Sequence, residues 1–83
     1  MRTSTADPGP YLEALRAEFP GDTVEVTPGY GRHVHALVVS SRLNGMSELE
    51  KHAFVREVLR TKLGARRAAA ASMVVAYGTD ELR

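Results

Sequence analysis

HVHALVVSSRLNGMSELEKHAFVREVLRTKL, residues His33 to Leu63, is the stretch whose reading decides the fold. Val34–Ser40 is rich in β-branched residues and turns apolar on both faces toward its end, which predicts a strand with a central place in a sheet. Ser41–Met46 connects it onward through an Asn44-Gly45 turn. Ser47, with Glu50 three positions later, forms a capping box and opens a helix. Leu49, His52, Val55, Leu59 and Leu63 then recur at steps of three and four, giving one apolar stripe on which His52, Val55 and Leu59 face the sheet. Lys62 falls in the last turn and Gly64 is a natural stop.

Working outward, residues 1–6 read as a flexible tail and 7–83 as a single domain. Asp7 caps a first helix that tolerates Pro8 and Pro10 in its opening turn. Leu12, Leu15 and Phe19 follow at helical spacing until Pro20-Gly21 ends the run. Thr23–Thr27 alternates as a half-exposed strand, and Pro28-Gly29-Tyr30-Gly31 is a turn before the central strand. Beyond Gly64, the alanines of Arg66–Ala71 favour a short second helical turn. Ser72–Tyr77 is a third strand, and Thr79 caps a final helix that barely begins.

The order is α-β-β-α-(α)-β-(α), an α+β domain. The first two strands are joined by a short loop and pair antiparallel. The second and third are joined through a helix and, if adjacent, are parallel. The expectation is a three-stranded mixed sheet with helices packed on one face.

The 83 residues include no cysteine, which excludes disulfides, thiolate metal sites and cysteine nucleophiles. No apolar run approaches the ~20 residues of a membrane helix, so a cytoplasmic protein with no membrane contact is expected. The net charge of +1 conceals a local excess: residues 51–67 carry Lys51, Arg56, Arg60, Lys62, Arg66 and Arg67 against Glu57 alone. An enzyme is not expected. No Gly-x-Ser-x-Gly elbow surrounds any serine, and Gly29-Tyr30-Gly31 falls far short of a dinucleotide fingerprint.

His33 and His35 stand two apart at the start of a strand, on one face and about 6.5–7 Å apart at Cα. Such a pair is able to chelate a metal, although ordinary strand-edge residues look the same. Arg56, Arg60, Lys62, Arg66 and Arg67 read as a phosphate-contacting patch for duplex DNA, or as stems covering apolar surface. His52 reads as a partly buried, hydrogen-bonded structural residue.

The wording from His33 resembles the BolA-like family. Its pattern here is His33, Val38-Val39-Ser40, Leu43, Asn44-Gly45, Lys51-His52, Val55 and Leu59, with Thr79-Asp80-Glu81 resembling the family's ending. The resemblance implies a type II KH-like fold and a non-catalytic regulatory adaptor. Its implied partner is a monothiol glutaredoxin, in iron–sulfur or iron homeostasis. It also implies that a loop residue, here His33, joins a second His near the third strand in ligating a shared [2Fe–2S] cluster, with no cofactor held by the isolated chain.

The second ligand is expected in Ala69–Ser72, which reads Ala-Ala-Ala-Ser and offers no imidazole. His35, two residues on, is the one further imidazole near His33 in sequence that could join it. BolA-like proteins include DNA-binding transcriptional regulators, so a regulator using the basic 56–67 segment is the alternative function. The Gly-x-x-Gly loop of KH domains is absent, which argues against clamping single-stranded RNA. A monomer or weak homodimer is expected.

Overall fold

The computed structural model describes residues 7–82; the expected tail at residues 1–6 lies outside the described residues. Three helices and three strands run in the order α1 (Gly9–Glu18), β1 (Thr23–Pro28), β2 (Val34–Val39), α2 (Glu48–Leu63), α3 (Ala65–Ala69) and β3 (Ala71–Tyr77). Short 3₁₀ turns occupy Ser41–Leu43 and Thr79–Glu81. The architecture is α+β with a mixed sheet in the order β1-β2-β3.

β1 pairs antiparallel with β2, from Thr23 opposite Val39 to Pro28 opposite Val34. β2 pairs parallel with β3, and Val34, Ala36 and Val38 alternate as its buried face. The central place of β2 follows from that pattern. Its other face is half-buried rather than polar because His35, Leu37 and Val39 have strands on both sides.

The core lies between the helices and one face of the sheet. Leu15 of α1, Phe19 just after it, and Val55, Val58 and Leu59 of α2 meet Val24, Val34, Ala36, Val38, Val74 and Ala76. Among the described residues no helix covers the opposite face, which presents Leu37, Met73, Val75 and Tyr77 beside Glu25 and Thr27.

The start of α2 forms as its sequence demands. Glu50 N donates to Ser47 Oγ at 3.1 Å, and Ser47 N donates to Glu50 Oε1 at 2.8 Å. At the far end Gly64 adopts φ +92°, a conformation that favours glycine.

The phase of α2 differs from the sequence expectation. Its buried positions are Lys51, Val55, Val58 and Leu59. Leu49 is 80% exposed and lies outside the stripe, while His52 is only half-buried. At ~100° per residue, Leu49 projects about 120° round the axis from Val55, whereas Lys51 lies only about 40° away. The aliphatic stem of Lys51 fills the position that Leu49 was expected to share. No hydrogen bond to the His52 ring occurs among the described residues.

After β3 the expected final helix is a single 3₁₀ turn, Thr79–Glu81, with Gly78 at its cap position. Thr79 does not cap a helix; its hydroxyl accepts from Asn44 Nδ2 at 3.1 Å, and Asp80 N donates to Asn44 Oδ1 at 3.2 Å. Gly78 makes this approach feasible, because a Cβ there would lie 2.5 Å from Asn44 Oδ1 and 3.0 Å from Asn44 Cα. The Asn44-Gly45 turn thus holds the end of the chain after β3.

Candidate functional site

Because β2 and β3 are parallel, their N-terminal ends lie together. Val34 N donates to the Ala70 carbonyl at 2.9 Å, and Val34 pairs with Ala71. The register then jumps to His35 opposite Met73, leaving Ser72 as an extra residue in a bulge. His33 and the segment 69–72, far apart in sequence, therefore meet at one end of the sheet.

The loop before β2 is drawn tight by two backbone bonds. Gly29 N donates to the His33 carbonyl at 2.7 Å, and His33 N donates to the Tyr30 carbonyl at 3.2 Å. The exposed His33 ring adds a third, with Nδ1 3.0 Å from the Tyr30 carbonyl. A carbonyl only accepts, so Nδ1 is the donor in this contact, which leaves Nε2 as the ring nitrogen facing away from it. Metal-binding histidines are commonly oriented in this way.

His35 is placed differently. It is half-buried within β2, and a Cβ on Gly29 would lie 2.7 Å from its Nε2. Its ring packs against a glycine that leaves it room. Among the described residues, no group of three or more His, Asp and Glu side chains is arranged to hold a metal ion. The residues beside His33 do not fit a resident cluster: positions 69–72 bring alanines and one serine to the place where a second imidazole would be needed.

The cations of the basic segment differ in their partners. Lys51 is 2% exposed, with Nζ 2.6 Å from Glu81 and 3.1 Å from Glu48. Arg56 donates to the Ala71 carbonyl at 2.9 Å, tying α2 to the start of β3. Arg60 holds Glu57 through two hydrogen bonds of 2.6 and 3.0 Å, and its guanidinium keeps the Glu57 carboxyl below its usual range. Lys62 stands 4.0 Å from Glu18. Arg66 and Arg67, exposed on α3, make no ion pair or hydrogen bond among the described residues.

No family model, curated protein or solved structure significantly matches this chain.

Two features escape sequence reasoning. Arg42 lies over both Phe19 and Phe54, 5.2 and 5.1 Å from their ring centres, while pairing with Glu18 at 3.0 Å. Only the folded chain brings those groups together. The second is the Lys51–Glu81 pair, for which the helical phase of Lys51 beside Val55 and Val58 was the available signal. Glu81 also accepts from Gly78 N at 2.7 Å, so its carboxylate closes the last turn.

This pair has a pH signature. The Lys51 hydrogen bond first, and the Gly78 N–H second, hold the Glu81 carboxyl below its ordinary 4.5. A lowered folded-state pKa contributes stability that is fully present above the unfolded value and is lost as pH falls through the folded one. Lys51 is shifted upward chiefly by Glu81, so its share persists at neutral pH and disappears only as pH rises through its folded value, above 10.5. Glu81→Gln is expected to be less stable than wild type at pH 7 and to converge with it as pH falls below 4.5 through the lowered folded-state value. Denaturant midpoints measured across pH 3–7 check this, and a constant gap would remove the ion pair as its cause.

Proposed function

We propose that this chain is a non-catalytic, cytoplasmic, BolA-like regulatory adaptor that works through a protein partner at the β2–β3 end of its sheet. The observation that carries the reading is the meeting of His33 with residues 69–72 through the Val34–Ala70 hydrogen bond. Those are the two places at which the resemblance locates partner-directed ligands. The α-β-β-α-α-β order and mixed sheet agree with the type II KH-like arrangement it implies. A monothiol glutaredoxin is the candidate partner. No helix among the described residues is long and apolar enough to cross a membrane.

The test is affinity capture of the tagged protein from its own host, with iron analysis of the co-eluting material. Recovery of a glutaredoxin that is lost on substituting His33 supports the reading. Recovery that ignores the β2–β3 end while requiring α2 would overturn it.

The alternative, a DNA-binding regulator using residues 56–67, draws less support because Arg56 and Arg60 are engaged within the fold. Arg66→Gln with Arg67→Gln is expected to lower the salt slope of duplex binding by up to about 1.8, at ~0.9 for each lost phosphate contact. Gel retardation across a salt series measures that slope. Absence of retardation by the wild-type protein at low salt leaves the segment as solvated surface.

A further inference from the structure

A cleft of about 490 Å³ opens between the start of α1, the loop before β2, and α3. Its lining is Asp7, Pro10, Tyr11, Arg32, Arg66, Arg67 and Ala70. Three arginines from two separate segments thus border one concavity. We propose that this cleft binds a small organic phosphate monoester, with the guanidinium groups of Arg66 and Arg67 taking the phosphate.

The charge arithmetic favours that class. Among the described lining residues, three arginines and one aspartate sum to +2, and a phosphate monoester carries about −1.5 to −2 at pH 7. Asp7, whose Oδ1 accepts from Gly9 N at 2.9 Å at the head of α1, makes no ion pair with these arginines among the described residues. Arg32 is engaged in an interaction of its own and forms part of the wall. Arg66 and Arg67 have no bond to give up among the described residues, so binding there sacrifices no internal ion pair. Planar guanidiniums suit phosphate because their paired N–H groups match adjacent oxygens.

Size and polarity add a second constraint. The volume falls within the roughly 300–1,000 Å³ of ordinary ligand pockets and exceeds what one phosphate fills. Pro10, Ala70 and the almost wholly buried Tyr11 supply an apolar wall for the organic body attached to the phosphate. Arg60 and Lys62 pair with Glu57 and Glu18 and are not among the residues that line the cleft, although Lys62 borders an adjoining concavity with Pro10 and Arg67. It does not depend on the adaptor reading, although Ala70 lies both here and beside His33.

The experiment is an amide and arginine side-chain NMR titration of the full chain with inorganic phosphate, adenosine monophosphate and adenosine. Saturable shifts confined to Arg32, Arg66, Arg67, Tyr11 and Ala70 are expected with the monophosphate, weaker ones with phosphate, and none with adenosine. Arg66→Gln with Arg67→Gln should weaken binding at least about tenfold while preserving the rest of the spectrum. Arg16→Gln, on the exposed side of α1, should not change it. Affinity should also fall from pH 7.5 to 5.5 as the phosphate gains its second proton near pH 6.

Shifts spread evenly over all exposed basic residues, or unchanged by the double substitution, would overturn the proposal. Citrate binding as tightly as the monophosphate would replace phosphate by carboxylate chemistry. Duplex DNA displacing the monophosphate at much lower concentration would make the cleft part of a nucleic-acid surface and overturn the small-molecule assignment.

Discussion

Leu59→Ala is expected to lower the unfolding free energy by about 2–5 kcal/mol. Leu59 is fully buried on α2, in the layer formed with Val55, Val58 and the sheet residues Val34, Val38 and Val74. Truncation removes the transfer energy of the lost carbons and leaves a cavity that neighbours in two different elements cannot both collapse into. An 83-residue domain has only roughly 4–12 kcal/mol of stability, so the loss is a large fraction of the total. The denaturant midpoint should fall with little change in slope. Leu49→Ala is the internal control: 80% exposed, it should shift stability by no more than about 0.5 kcal/mol. Equal effects from the two substitutions would mean that α2 is rotated relative to the sheet.

That contrast also marks where local sequence stops determining structure. The three strands, the capping box and the Gly64 stop are legible because each depends on alternation, a hydroxyl three residues from a carboxylate, or a glycine conformation. The centrality of β2 follows from its two apolar faces. The phase of α2 was harder because Lys51 counts as polar in any apolar pattern, yet its stem is what packs. Its ammonium is tolerable there only because Glu81 and Glu48 reach it, and Glu81 arrives from the far end of the chain. The Arg42 contact with Phe19 and Phe54 is likewise a product of assembly. At the candidate site, His33 could be singled out from sequence, whereas its nearness to Ala70 required the parallel pairing of β2 with β3. The distribution of partners among Arg56, Arg60, Lys62, Arg66 and Arg67 was not legible, because it depends on which carboxylates and carbonyls the fold brings near.

With a monothiol glutaredoxin and glutathione supplied, the wild-type chain is expected to hold at most a labile shared [2Fe–2S] cluster that depends on His33, and Ala70→His is expected to make it persistent. A bridging cluster needs its ligands within bonding reach, and groups that orient a ligand cannot replace one. The His33 ring is held through Nδ1, which donates to the Tyr30 carbonyl and leaves Nε2 as the nitrogen for a ligand bond. What is missing is the second imidazole. Ala70 is the suited position because its carbonyl already accepts from Val34 N, fixing its backbone next to the residue that follows His33. It is half-buried, so a larger side chain there can extend toward solvent, whereas Ala71 is fully buried and would meet the core. Anaerobic reconstitution, followed by visible absorption and circular dichroism, compares wild type, His33→Ala, Ala70→His and the double substitution. The expected order of cluster lifetime is Ala70→His first, wild type second, and the two His33→Ala chains last. A wild-type cluster that survives His33→Ala would sink the prediction and direct attention to His35 or His52. An Ala70→His chain no better than wild type would mean that the β2–β3 end is not where the partner's iron is presented.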